Sequence, residues 1–429
     1  MANEKMGWVG AAAIGVGGMV GGGIFAVLGT AVSMAHGATP IAFVVAGVIA
    51  VLTAESYARL SAAYPSSGGT VVFVHQAFGH HLTTGATNLF LWVNYLVTIA
   101  LYAAAFGSYA RTFFPSGGVF EEPLFQHALI SIGIVVPAAL NLLDASLIAK
   151  SETVVVVVKL ALLVVVALAG ATSVDVARLS PSTWPGWGTT IAGGMVIFVA
   201  YEGFELIANS GDDVEDPKTN LPRALHVAVL FVLLLYVALA VVTVGSVGED
   251  RILEAKDYAL AAAARPALGE AGFVIVSVSA LMATLSAINA TIYGNARLGY
   301  ALAQERELPE LVQRQTWSRP VAGVLLTTGL ALLIANLLDL EAIAILGSAG
   351  FLFIFLVVNG AALRLGREVG ARRPLAALGC VGCLAALVIL LKQTWADNPI
   401  SVYWLGGIVA LCLVLEAALM KQRGPVQVG

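Results

Sequence analysis

GVGGMVGGGIF, residues 15–25, is the stretch whose reading decides the fold. Six of the nine residues in 15–23 are glycine, and apolar sequence continues on both sides. In a helix interior each glycine costs roughly 1 kcal/mol relative to alanine. A G-x-x-x-G pair is common where membrane helices pack closely. Six glycines clustered inside one apolar run point to more: a helix broken at mid-depth with its backbone exposed. At membrane depth the backbone can leave helical hydrogen bonding only where it lines a cavity or is buried in protein. Broken helices near the midplane are how many transporters build their substrate sites. The second half-helix then offers free N–H groups and a partial positive charge, which suit a carboxylate.

Composition agrees with a membrane setting. The chain has 429 residues, of which 59% are hydrophobic and only 11% charged. A soluble protein carries about 25% charged residues, so this chain has too little polar surface to face water all round. Its apolar segments are long runs and not ten-residue alternating strands, which gives an all-α integral membrane protein and excludes an outer-membrane barrel. The net charge of −4 says little about partners when the charges sit in loops. Cys380 and Cys383 form a C-x-x-C inside LAALGCVGCLAALVIL, an apolar helix where small-residue packing is a better reading than a metal or redox site. No cleavable leader is expected, because the first apolar run is long and lacks a small-residue cleavage site.

A run of about 20 apolar residues spans a bilayer. The sequence contains twelve, at 8–34, 39–62, 84–110, 123–143, 151–173, 189–209, 222–248, 271–302, 320–338, 341–363, 374–392 and 399–420. With the N-terminus inside, fifteen of the 22 lysines and arginines fall on the inner side, among them Lys150, Arg306, Arg314, Arg319 and Arg423. Six fall outside, and Lys159 lies in the membrane. This bias predicts a multi-pass protein of the cell membrane with both termini cytoplasmic.

If the fold contains two five-span repeats in opposite orientation, the sixth span should be broken as the first is. That span reads GGMVIFVAYEGFELIANSGDDVEDP, with Glu202 and Glu205 flanking Gly203 and Phe204. An ionisable residue at mid-membrane costs at least about 2.5–3.5 kcal/mol. A break at 201–205 that opens on a cavity accounts for both the glycine and the acids.

These pieces bring a resemblance into view. VGGGIF (20–25), YARLSAAYPSSGGT (57–70), FVAYEGFE (198–205), VEDPKTNLPRAL (214–225) and, more weakly, NATIYGNARLGYALAQERELP (289–309) occur in the order and spacing of the amino acid–polyamine–organocation family of secondary transporters. The chain resembles that family over essentially its whole length. The resemblance implies a five-plus-five inverted repeat with broken helices 1 and 6, plus two C-terminal helices. The transport core would be 1–363, with repeats at about 8–173 and 189–363, and 364–429 would hold the two additional helices and a cytoplasmic tail. Within the family the chain is most similar to proton-coupled, broad-specificity amino acid transporters of archaea and bacteria.

Lys159 carries that last point. In SETVVVVVKLALLVVVALAG, Lys159 is the one charge of the apolar run that follows Ser-Glu-Thr, about 12 Å from the helix end at the usual rise. A lysine buried for structure is one reading, but an intramembrane ionisable group is functional by default. Burial disfavours the charged form, so such a lysine can gain and lose its proton as its surroundings change. By resemblance, Lys159 puts an ammonium where sodium-coupled members hold Na⁺. Its neighbours would be the carbonyls around Gly17 and Gly18, with Thr284 and Ser286 as candidate hydroxyls on the eighth span.

The resemblance also implies the substrate site. An amino acid carboxylate would meet the N–H groups of Gly21, Gly22 and Gly23, with Ile24 in the same stretch. Its ammonium would meet carbonyls around Gly17, Gly18, Tyr201 and Glu202, beside Gly203. Phe204 would act as a lid or simply pack. Glu202 and Glu205 would bind a cationic group, relay protons, or pair with polar groups such as Asn94 or Asn289.

Glu55 and Arg59 are spaced for an i,i+4 ion pair, while His75, His80 and His81 fall in the cytoplasmic connection, where solvated histidines are a better reading than a metal site. Asp212, Asp213, Glu215 and Asp216 read as a solvated entry to the seventh span. The expected function is import of amino acids by proton symport through alternating access. The alternatives are a polyamine/amino acid exchanger and an inorganic cation (K⁺) transporter. An enzyme is not expected, since no metal-ligand cluster, nucleophile–base pair or phosphate loop is present in the sequence. No cofactor, metal, nucleic acid or obligatory protein partner is expected. The expected partners are the amino acid, the proton and the lipid bilayer.

Overall fold

A computed structural model of the chain describes residues 5–143, 145–304, 307–308 and 321–423. Arg306, Arg314 and Arg319 lie outside the described residues, as do the side chains of Lys150 and Arg423 and part of the 289–309 motif.

The described residues fold as helices. The first apolar run is two of them, α1 (Trp8–Met19) and α2 (Gly23–Ala35), separated by a turn at 20–22. Then come α3 (Thr39–Ala63), α4 (Thr70–Phe78), α5 (Leu82–Arg111), α6 (Pro123–Leu143) and α7 (Ala145–Gly170). The next run is again interrupted, as α8 (Trp187–Val196), a 3₁₀ segment (Ile197–Tyr201) and α9 (Glu205–Ala208). It is followed by α10 (Pro217–Ser246), α11 (Glu249–Glu254), α12 (Ala259–Gln304), α13 (Val321–Leu337), α14 (Leu340–Leu365), α15 (Arg373–Asp397) and α16 (Pro399–Arg423).

Local chemistry sets many of these boundaries. Pro40, Pro217 and Pro374 sit in the first turns of α3, α10 and α15, where a missing N–H costs nothing. Asp339 caps α14 by accepting the Ala342 N–H at 2.7 Å. The 3₁₀ turn at His36–Ala38 separates α2 from α3 at the break expected between the first two spans, although the stretch Gly23–Ala63 is apolar enough to count as one. One boundary departs from the sequence reading. The helix expected at 271–302 begins earlier, at Ala259, and is bent at Gly269, whose φ of 64° no other residue adopts readily.

Ten helical stretches among the described residues are long and apolar enough to cross a membrane, and α1 and α13 are shorter apolar helices. The most apolar window of Leu82–Arg111 is 94% buried, whereas that of Pro399–Lys421 is 11% buried. Therefore α5 is the central pillar and α16 lies at the periphery. Around α5 pack α12, α14, α6 and α13, while α3 runs along α10.

The two interruptions meet in the middle. A Cβ built on Gly203 would lie 2.6 Å from the Gly18 carbonyl carbon and from the Met19 nitrogen. Gly203 also has φ +115°, a conformation that L side chains rarely adopt. Gly203→Ala is therefore strained twice over. The backbone part alone costs about 1–3 kcal/mol, so the variant should show a clearly lower apparent melting temperature in detergent than the parent protein, measured by a thiol-independent thermal-shift assay. An unchanged melting curve would refute the close approach.

Candidate functional site

Five of the six glycines of the opening stretch each let a different element come close. A Cβ on Gly17 would meet Val156 of α7 at 3.1 Å, and one on Gly21 would meet Ala287 of α12 at 2.7 Å. Gly18 abuts the Gly203 carbonyl, Gly23 abuts the Ala200 backbone, and Gly22 lies under the ring of Tyr102 from α5. Alanine at any of these positions would push a neighbour away. The tract is thus both a break and a junction of five elements.

The break frees backbone donors. The Gly21 N–H reaches back to Gly18 O at 3.1 Å. The amides of Gly22, Gly23, Ile24 and Phe25 have no hydrogen-bond acceptor among the described residues, as expected for the first turn of a helix without a side-chain cap. They form an N-terminal group of donors in the protein interior. The Tyr102 ring, not open space, faces Gly22 here.

The second break is held by hydroxyls. Ser348 of α14 accepts the Val199 N–H at 2.9 Å and donates to Val196 O at 2.6 Å. The Tyr201 hydroxyl donates to Phe43 O of α3 at 2.9 Å. The hydroxyl of Tyr236, on α10, points at Met19 O (2.7 Å) and Ala200 O (3.2 Å), one carbonyl from each broken run. A buried carbonyl left without a donor is costly, so these contacts make the irregular backbone tenable.

Glu202 and Glu205 are 2% and 0% exposed. Glu205 accepts the Gly203 N–H at 2.9 Å with one oxygen and the Tyr95 hydroxyl at 3.2 Å with the other. Glu202 accepts the Tyr102 hydroxyl at 2.8 Å. The sequence pairing of these acids with Asn94 or Asn289 is corrected by this geometry. Asn94 points toward Gly347 O, at 3.4 Å, and Asn289 accepts from Asn141, at 2.7 Å. Tyr95 adjoins Asn94 but sits about 100° further round the helix, which turns its hydroxyl to the acids. The signal was present as two tyrosines seven residues, or two turns, apart on one face of α5.

Phe204 is buried, edge-on to Tyr57 (ring centroids 5.4 Å, 88°) and tilted against Phe355 (5.0 Å, 39°). Lys159 is 1% exposed, and its ammonium donates to Gly17 O at 2.9 Å. Thr284 turns its hydroxyl onto its own helix, to Ala280 O at 2.8 Å and Leu281 O at 3.1 Å, a common habit of threonine in membrane helices. Ser286 is half-buried.

On the side assigned as inner, Glu55 pairs with Arg59 at 2.9 Å as its spacing predicts, and it also accepts from His226 at 2.7 Å. His75 is not solvated. It lies 3.0 Å from Glu307 and 3.1 Å from the Asn88 amide, packed against the ring of His80. His80 and His81 are exposed. Asp212, read as solvated, accepts the Ser67 N–H at 2.8 Å. On the opposite side, His36 contacts Glu249 at the edge of a cavity of about 120 Å³ that Arg178 and Thr183 also line. Among the described residues no group of three His, Cys, Asp or Glu side chains is placed to hold a metal.

Comparison with known proteins adds a family context to this geometry. Residues 6–419 match the family described as amino acid permease. An uncharacterized protein of Methanocaldococcus jannaschii is 35% identical over 415 residues, covering 95% of this chain and 93% of the relative. The inner membrane transport protein YbaT of Escherichia coli is 34% identical over 421 residues, 98% of this chain and 97% of the relative. A chloroplastic cationic amino acid transporter of Arabidopsis thaliana is 28% identical over 320 residues, 70% of this chain and 55% of the relative.

Tyr236→Phe removes the donor that the two broken runs share and should cost about 1–3 kcal/mol. A drop in the detergent melting temperature, with the monodisperse chromatographic profile retained, is the expected result. No drop would mean that water or another donor serves both carbonyls.

Proposed function

The chain belongs to the amino acid permease family of amino acid–polyamine–organocation transporters, and on that premise we propose that it imports amino acids together with protons by alternating access. It is a multi-pass membrane transporter and not an enzyme. One observation carries the mechanistic part: two broken helical runs meet at Gly18 and Gly203, free amide donors open from the first, and a buried lysine sits on the carbonyl of Gly17.

In this reading the chain crosses the bilayer twelve times, with both termini cytoplasmic. The fifteen-to-six bias of basic residues supports that orientation. Residues 1–363 form two inverted repeats, and 364–429 form the two added spans and a tail. Helix packing supports the repeat. The second span (α3) packs on the seventh (α10), and the third (α5) on the eighth (α12), each against the helix five places on. The first-on-seventh contact (α1 with α10) has its counterpart in the sixth on the second (α8 with α3). The fifth on the eighth (α7 with α12) has its counterpart in the tenth on the third (α14 with α5). A pseudo-twofold axis in the membrane plane produces this reciprocity.

The substrate carboxylate takes the N–H groups of Gly22, Gly23 and Ile24, next to Gly21. Its ammonium takes the carbonyl side of the breaks, near Gly18, Tyr201, Glu202 and Gly203, with Glu205 behind and Phe204 closing the site on the Tyr57–Phe355 side. Lys159 couples the proton. When Gly17 O is within reach the ammonium is stabilised, and when the first and fifth spans separate it sheds its proton. A tenfold difference in proton affinity between the two states biases the equilibrium by about 1.4 kcal/mol. Thr284 and Ser286 are the hydroxyls available to the lysine if the eighth span shifts.

The test is uptake and counterflow in proteoliposomes across amino acids, amines and K⁺, with and without an imposed proton gradient. Gradient-driven, sodium-independent accumulation of amino acids is expected. Lys159→Ala should abolish accumulation above equilibrium while sparing exchange, and full gradient-driven accumulation in that variant would remove the lysine from the coupling. Gly22→Val drives a side chain into the Tyr102 ring and should cut substrate uptake at least tenfold in a protein that still elutes as a folded species. Normal uptake would move the carboxylate site elsewhere.

A further inference from the structure

The connection between α14 and α15 reads RLGREVGARR, residues 364–373, and holds four arginines and no lysine. Its turn is tight. The Ala371 N–H donates to Gly366 O at 2.9 Å and the Gly370 N–H to Arg367 O at 3.3 Å. The guanidinium of Arg373 is thereby brought beside Gly366, within 2.9 Å of where a Cβ would stand. All four arginines are exposed. Arg364 lies over the ring of Phe78, 5.4 Å from its centroid, a contact that leaves the N–H edge of the guanidinium free. Arg372 comes no closer to Glu55 than 3.8 Å, and that carboxylate already holds Arg59 at 2.9 Å and His226 at 2.7 Å. Arg364, Arg367 and Arg373 pair with no carboxylate among the described residues, and Glu368 in the same turn pairs with none of them.

Basic residues gather on the inner side of multi-pass proteins in general, and charges scattered over all the inner loops satisfy that rule. It asks neither for arginine over lysine nor for four charges in one turn. It also does not ask for Arg372 and Arg373 at the start of α15, where the helix dipole disfavours a cation. An anion seated among the four answers all three points. We propose that this turn binds the headgroup phosphate of an anionic phospholipid. Guanidinium forks match phosphate oxygens in pairs, as an ammonium does not, and clustered basic residues next to a membrane helix draw anionic lipids. The surface leading away from the turn fits a lipid better than a free anion. Leu378, Val381, Leu384 and Val388 follow one side of α15, and each is more than half exposed. They form an apolar bed for acyl chains directly below the arginines. The proposal needs a membrane protein but does not depend on what the protein carries.

The experiment uses the full-length protein, purified in a nonionic detergent and stripped of lipid. It is titrated with dioleoyl phosphatidylglycerol or dioleoyl phosphatidylcholine, and bound lipid is counted by native mass spectrometry. Phosphatidylglycerol should bind at least tenfold more tightly. Each arginine at an anionic membrane surface is worth on the order of fivefold, so Arg364→Gln, Arg367→Gln, Arg372→Gln and Arg373→Gln combined should bring the two lipids within twofold of each other. Lys218→Gln, Arg223→Gln, Arg297→Gln and Lys421→Gln combined remove the same charge elsewhere on the inner side and should leave the preference within twofold of the parent. Lysine at all four positions of the turn keeps the charge and the membrane orientation. It should still weaken phosphatidylglycerol binding at least threefold, and it decides the matter if the glutamine protein does not elute as a folded species. Four results would overturn the proposal: no preference in the parent, an equal loss in the two glutamine proteins, unchanged binding in the lysine protein, or displacement of phosphatidylglycerol by an equal concentration of glycerol 3-phosphate. The last would make the turn a site for a free anion.

Discussion

The contact between the backbones at Gly18 and Gly203 is the constraint on which the rest of the structure depends. Two helical runs can be interrupted at one depth only if each supplies what the other lacks, since no water from the bilayer completes their hydrogen bonds. Gly203 turns through a positive φ at the point where it touches Gly18 and Met19. Side chains on three neighbouring helices then serve the loose ends: Tyr236 on α10, Ser348 on α14, and Tyr95 with Tyr102 on α5. The deep burial of α5 follows from this arrangement, because the helix that supplies two donors to the acids must stand beside both breaks.

Much of this was legible in the sequence, and the reason is physical. Helices that cross a bilayer are announced by apolar length, and a break is announced by what a continuous helix would not tolerate, here the glycines of 15–23 and the acids around Gly203. Lys159 was equally visible, as a charge inside a long apolar run, and it meets Gly17 O. Partners were not legible when they came from another helix and belonged to a residue type at home in an apolar run. Tyr236 looks like core in sequence, Tyr95 and Tyr102 show there only as a shared helix face, and packing alone reveals where their hydroxyls point. His75 was misread for the opposite reason: it lies in a connection, and its burial comes from Glu307 and Asn88, more than ten positions away.

Boundaries show the same division. The turn at His36–Ala38 is too short to interrupt an apolar run, so α2 and α3 merge by composition although a 3₁₀ turn separates them. Gly269 bends a 46-residue helix whose first part lacks the long apolar run that marks a span. Among the described residues, ion pairs lie toward the ends of the helices, with Glu55, Arg59 and His226 at one and His36 and Glu249 at the other. Ion pairs there can form and break in contact with water, where each is worth little on its own.

The bonds that hold the two breaks to their surroundings are of another kind. Tyr236, Tyr201 and Ser348 are uncharged donors, and Met19, Ala200, Phe43 and Val196 offer them uncharged carbonyls. Moving one elementary charge through the full membrane potential changes its energy by about 2.3 kcal/mol per 100 mV. Opening these hydroxyl–carbonyl bonds moves no net charge, so the electric field across the membrane neither locks nor releases them. Whatever voltage sensitivity the protein has must enter through its few buried ionisable side chains and the charge of what it carries.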